Sequence, residues 1–67
     1  MMTVTVNGER RQFDRSLHVS ELIDGLGLAG KRIAVERNGE IVPRSQFNAQ
    51  SLADGDRLEI VVAVGGG

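Results

Sequence analysis

The chain has 67 residues, 40% of them hydrophobic, with eight basic against nine acidic side chains and a formal net charge of −1; at this length only about 60% of the unfolded surface is buried on folding, so one minimal core is all it supports. The absence of cysteine excludes disulfides, thiolate metal sites and thiol chemistry, and a lone histidine, His18, excludes multi-histidine metal sites and leaves little for general acid–base catalysis. With no basic block, two aromatics (Phe13 and Phe47), no apolar run of spanning length and no signal-peptide pattern, the expectation is a cytoplasmic protein that contacts neither nucleic acid nor membrane.

In chain order, Met2-Thr3-Val4-Thr5-Val6 alternates with a period of two, the mark of a half-buried strand. Asn7-Gly8 supplies two residues tolerant of positive φ, which predicts a type I′ hairpin turn. Glu9 to Phe13 returns as a charged edge strand that discourages edge-to-edge pairing. Val19, Leu22, Ile23 and Leu26 fall at i, i+3, i+4 and i+7 and predict a helix of two to three turns. His18 or Ser20 is its candidate cap, Glu21 is placed to reach back in a box-like arrangement, and Gly25, Gly27 and Gly30 offer stops.

Lys31 to Arg37 holds a strand around Ile33-Ala34-Val35, Asn38-Gly39 repeats the hairpin signature, and Glu40-Ile41-Val42 returns until Pro43 ends it. Ser45 to Leu52 lacks the periodicity of a long helix; Ser45 is a candidate cap for a single turn, with Phe47 tucked inwards. Ala53-Asp54-Gly55-Asp56 is turn chemistry. Arg57 to Val64 is the longest β-rich run, with Leu58, Ile60 and Val62 on one face and Glu59, Val61 and Ala63 on the other.

One helix with an apolar stripe needs a sheet to cover it, and so short a sheet needs that helix. The terminal strands are expected to pair in parallel at the centre, with the helix as crossover. The fold class is therefore α+β: a ubiquitin-like β-grasp whose mixed five-stranded or four-stranded sheet packs on one main helix. Residues 1–64 form the domain and 65–67 a glycine tail.

Three familiar-looking constellations carry no chemistry. Asp54-Gly55-Asp56 reads as a turn ahead of a strand rather than a metal-binding pair. His18 has no nucleophile to activate and reads as a cap or surface residue. Gly25-Leu26-Gly27-Leu28-Ala29-Gly30 matches G-x-G-x-x-G but follows a helix instead of leading from a strand into one.

More informative is the end of the chain. Gly65, Gly66 and Gly67 have little structural use, since glycine packs nothing and loses most entropy on ordering. Extended, three residues reach roughly 10 Å, a thin thread able to enter a narrow slot with its carboxylate first. A frayed terminus is the competing reading. Outward-facing Val61 and Ala63, with Val64 at the base of the tail and Ala34 on the neighbouring strand, form a candidate docking patch; scattered surface hydrophobes are the alternative.

Over its whole length the sequence resembles the ThiS family of small sulfur carriers of thiamine biosynthesis. The resemblance rests on Val4-Thr5-Val6-Asn7-Gly8, on Val19-Ser20-Glu21-Leu22-Ile23, and on Ala34 through Arg44 with its Asn-Gly-x-Ile-Val-Pro-Arg segment. Leu52 to Val61, containing Asp54-Gly55-Asp56, and Val64-Gly65-Gly66-Gly67 complete it. It implies a protein co-substrate rather than an enzyme. In such proteins an E1-like, ThiF-like adenylating enzyme uses ATP and magnesium to convert the terminal carboxylate, here that of Gly67, to a glycyl-adenylate. Sulfur from a persulfide donor then displaces AMP, and the resulting thiocarboxylate supplies a ThiG-like thiazole synthase. No cofactor is implied for the carrier itself. Gly65, Gly66 and Gly67 would enter the partners' active sites, while Val61, Ala63, Val64 and Ala34 would dock.

Two alternatives stay open at this point. A sulfur carrier for molybdopterin synthesis shares the fold and a Gly-Gly end, although Ile41-Val42-Pro43-Arg44 and the short length favour the thiamine branch. A ubiquitin-like protein modifier is the other, limited by the presence of a single lysine, Lys31, to something other than extended lysine-linked chains.

Overall fold

The computed structural model describes residues 1–63. Its elements run β1 (Met2–Val6), β2 (Glu9–Phe13), α1 (Val19–Gly25), β3 (Ile33–Arg37), β4 (Glu40–Val42) and β5 (Arg57–Val62), with a single 3-10 turn over Arg44–Gln46 ahead of β5. The strands form one sheet in the order β2-β1-β5-β3-β4. β1 and β5 pair in parallel and all other neighbours are antiparallel. This is the expected α+β β-grasp, in its five-stranded form, with the first and last strands side by side and the charged β2 at an edge.

Both hairpins turn as their sequences dictate. Asn7 and Gly8 have φ of 51° and 84°, Asn38 and Gly39 of 51° and 87°, so both central residues are left-handed as a type I′ turn requires. The short loop fixes register: Val6 faces Glu9 across the first hairpin and Arg37 faces Glu40 across the second.

Helix α1 has seven residues, well short of the ~12–15 at which an isolated helix becomes even marginal in water. Tertiary contacts hold its start and a local closure holds its end. The N–H groups of Val19 and Ser20, orphaned at a helix start, donate to the carbonyls of Gln50 and Phe47 at 2.9 Å each. The Glu21 carboxylate turns back and accepts from the His18 N–H at 2.9 Å, the reach-back expected of a box. At the other end the Leu28 N–H donates to Ile23 (3.0 Å) and the Gly27 N–H to Asp24 (3.1 Å), a Schellman closure with Gly27 at φ 75°. The irregular segment 47–52 therefore serves as the strap that makes so short a helix viable.

One face of α1 buries Val19, Leu22 and Ile23 against Val4, Val6, Val35, Leu58 and Ile60 of the sheet, with Met2, Leu17, Val42 and Leu52 closing the periphery. Leu22, Leu58, Val4, Val19 and Val35 are sealed from solvent; each such side chain stabilises the fold by about 1.5–3 kcal/mol relative to exposure.

Three local expectations need correction. Pro43, not Ser45, precedes the 3-10 turn, and no side chain caps it; proline both ends β4 and pre-sets the backbone there. Phe47 does pack partly against the core. β5 ends at Val62, which pairs with Ile33 at the start of β3, and Ala63 already lies outside the strand; Val64 lies outside the described residues. Val62, grouped with the inward Leu58 and Ile60, is 39% exposed at this last rung, where Ile33 opposite is itself only half-buried.

Candidate functional site

β5 delivers the chain to its C-terminal residues, and the sheet grips it from both sides. On one side β1 provides only two register positions, Thr5 with Arg57 and Val6 with Leu58. Asn7 then extends the ladder with its side chain: the amide oxygen accepts from the Ile60 N–H at 2.8 Å and the amide nitrogen donates to the Ile60 carbonyl at 3.1 Å. On the other side Asn38 accepts from the Arg57 N–H at 2.9 Å and donates to Asp56 at 3.0 Å.

Asp56 is the buried hub of that second grip. Its carboxylate accepts from the Arg37 guanidinium at 2.7 Å and from the Ala53 N–H at 2.8 Å, and it is 6% exposed. Burial pushes its pKa up, but the Ala53 N–H, Arg37 and Asn38 together outweigh burial and hold it below the usual aspartate range. The neighbouring Asp54 accepts from the Thr3 N–H at 2.7 Å. Both carboxylates of the Asp54-Gly55-Asp56 turn are thus engaged in tying β5 to β1 and β3. No group of three metal-ligating side chains occurs among the described residues.

The face of the sheet away from α1 holds the predicted docking residues. Register places Val61 directly opposite Ala34 on that face, both exposed, with Val61 at 62%. Ala63 lies one step further, exposed, its N–H donating to the Arg32 carbonyl at 2.9 Å. These three expected residues are thus brought together. Val64, Gly65, Gly66 and Gly67 lie outside the described residues.

Sequence reading placed Glu59 on this face but missed Ile41, Glu36 and Arg32. Ile41, 65% exposed, sits across from Glu36. Glu36 in turn faces Glu59, a like-charge pair directly opposite across β3 and β5. Arg32 continues the same face opposite Ala63. The signal for Ile41 was available: it adjoins inward Val42, so strand alternation turns it outward. The opposition of the two glutamates needed the β3–β5 register, which no local pattern carries.

The discounted motifs behave as surface and turn features. His18 is exposed, 3.3 Å from Glu21. Glu21 has its pKa lowered to about 2, first by the His18 backbone N–H and then by Arg15, which donates at 3.0 Å. Gly25 to Gly30 closes α1 and leads into β3. No helix among the described residues is long and apolar enough to cross a membrane.

A five-stranded mixed sheet packed on one helix, with its first and last strands parallel and adjacent, defines a β-grasp protein. The ThiS family model matches residues 4–67. A crystal structure of a thiamine biosynthesis protein (ThiS) from Geobacter metallireducens superposes with a TM-score of 0.83 at 40% identity, covering 98% of this chain and 100% of that one. The sulfur carrier protein ThiS of Bacillus subtilis is 39% identical over 49 residues, 73% of this chain and 74% of that protein. A thiazole synthase of Paramagnetospirillum magneticum is 47% identical over 66 residues, which are 98% of this chain but only 20% of that much longer protein. The chain belongs to the ThiS family.

Proposed function

We propose that this chain is the sulfur carrier of thiamine biosynthesis and that the carboxyl group of Gly67 is its working atom set. The observation that carries the reading is the family match, which runs through the terminal glycines to residue 67. A terminal carboxylate, with a pKa of about 3.3–3.7, is ionised at neutral pH and a poor electrophile. An E1-like adenylating enzyme using ATP and magnesium would therefore attach AMP to Gly67 with loss of pyrophosphate. The outer sulfur of a persulfide donor then displaces AMP to give an acyl disulfide. A second thiol on a partner cleaves its S–S bond to release the thiocarboxylate and leave a disulfide behind, and a thiazole synthase consumes the thiocarboxylate. Glycines at 65, 66 and 67 suit passage through two different pockets that exclude water from the acyl-adenylate. The carrier binds no cofactor of its own in this scheme; its body supplies recognition.

The link to a thiazole synthase is supported by the relative in which a segment so similar to this chain is part of a polypeptide named for that activity. Intact mass of the chain recovered from cells tests the reading. A fraction with one oxygen replaced by sulfur, localised to Gly67 and lost on deleting Gly67, is the expected result. A modification that persists in the truncated chain would refute the site.

A further inference from the structure

Along the open face, β3 and β5 place side chains in successive rows about 7 Å apart, two residues of strand rise. Glu59 opposes Glu36, Val61 opposes Ala34, and Ala63 opposes Arg32, in order towards the tail. Ile41 extends the acidic row at its β4 end. Behind that row lies Arg57, opposite Thr5. From Arg57 towards the tail the rows therefore read basic, acidic, apolar and basic, with opposite charges on the two sides of the apolar row.

Neither glutamate of the acidic row is held in an ion pair among the described residues, although Arg57 stands one row behind Glu59 on the same face. Like charges directly opposite on neighbouring strands destabilise a sheet. Among the described residues the ion pairs are Arg11–Glu9, Arg15–Glu21, His18–Glu21 and Arg37–Asp56; neither Glu36 nor Glu59 belongs to one, nor do Arg32 and Arg57. Arg37, next in sequence to Glu36, is committed to Asp56 on the opposite side of the sheet. A cation from a partner, set between Glu36 and Glu59 with Val61 and Ile41 flanking it, would relieve a repulsion that the free chain carries.

We propose that this striped face is an orientation code read by a thiazole synthase surface of complementary order: an acidic side chain beside the opening that admits the tail, an apolar patch, and an arginine or lysine about 14 Å behind the acid, two row spacings away. The inference rests on the sulfur-carrier reading and adds to it the partner's surface chemistry. Charge order of this kind acts chiefly on encounter and register. An apolar patch alone would allow the carrier to dock rotated, with its tail directed away from the opening; opposite charges on either side of Val61 and Ala34 remove that choice.

Titration calorimetry of the full chain against the thiazole synthase of its own organism tests this. Glu36→Lys with Glu59→Lys, and separately Arg32→Glu, are each expected to raise Kd by about tenfold or more at low salt. The neutral pair Glu36→Gln with Glu59→Gln should have a smaller effect, and added salt should weaken wild-type binding. Asp24→Lys, an exposed change on α1, should leave Kd within about twofold. Thermal melts establish that each variant is folded. If both charge reversals bind within twofold of wild type while Val61→Asp abolishes binding, the face is merely apolar and the code is refuted. If the wild-type chain neither binds the synthase nor acquires sulfur at Gly67, the underlying reading falls and takes the inference with it.

Discussion

The two Asn-Gly hairpins share a turn type and nearly the same backbone angles, yet they hold β5 by different means. Asn7 works as a substitute strand residue, its amide meeting both backbone groups of Ile60 where β1 has run out. Asn38 works as one member of a cluster, bonded at once to Asp56 and to the Arg57 backbone, with Arg37 completing the set. The first grip is a neutral bracket that stands alone; the second is a charged, shared network around a buried carboxylate. Identical turn chemistry thus leaves the tertiary role of the asparagine side chain open, and that role is decided by what the neighbouring strand lacks.

This contrast can be broken at its strongest point first. Asp56→Ala leaves Arg37 half-buried without its partner and strips Ala53 and Asn38 of an acceptor; a loss of about 3 kcal/mol is expected in urea unfolding. The same network makes stability acid-sensitive. Because the folded pKa of Asp56 lies below its ordinary 3.8, its contribution is fully present above that value and is lost as pH falls through the lower, folded one. Asp56→Ala should flatten that part of the acid-unfolding curve.

Asn7→Gly and Asn38→Gly keep the left-handed turn while removing each amide, and each should cost about 1–2 kcal/mol for unpartnered backbone and side-chain groups. A double-mutant cycle then separates the two grips. Asp56→Ala with Asn38→Gly should be non-additive by about 0.5–1 kcal/mol, because the residues share a bond, whereas Asp56→Ala with Asn7→Gly should add. Equal coupling in both cycles would show one network instead of two.

The smallest effect belongs to an exposed carboxylate outside both grips. Glu21, with a pKa of about 2, stabilises α1 above the ordinary glutamate range and loses that contribution as pH falls towards 2. Glu21→Gln should lower Tm slightly at neutral pH, by a difference that shrinks as pH falls towards and through 2, as measured by circular dichroism.

Much of this was legible in the residues. Period-two alternation located β1 and β5, Asn-Gly located both turns, and the Val19-Leu22-Ile23 spacing located α1, because each signal is local. The glycine run and the outward placement of Val61, Ala63 and Ala34 were legible too, since a strand's outward face follows from its inward one. The Asp56 hub was not: in sequence Asp54-Gly55-Asp56 looks like an ordinary turn, and its partners Arg37 and Asn38 lie 19 and 18 residues away. The Glu36–Glu59 opposition was hidden for the same reason, being a product of long-range register. The strap at 47–52 gave no periodic signal because its contribution is made through backbone carbonyls, which every residue possesses.

The central position of β5 also has a mechanical consequence. Any partner that draws on the residues beyond Ala63 applies its load to a strand flanked by neighbours on both sides, and beside one of them, β1, that runs in the same direction. Tension between the two chain ends would therefore act along adjacent parallel strands in shear, so the bonds between them resist together instead of unzipping singly. For a carrier drawn on by its end, as proposed above, the handle is continuous with the member hardest to pull out.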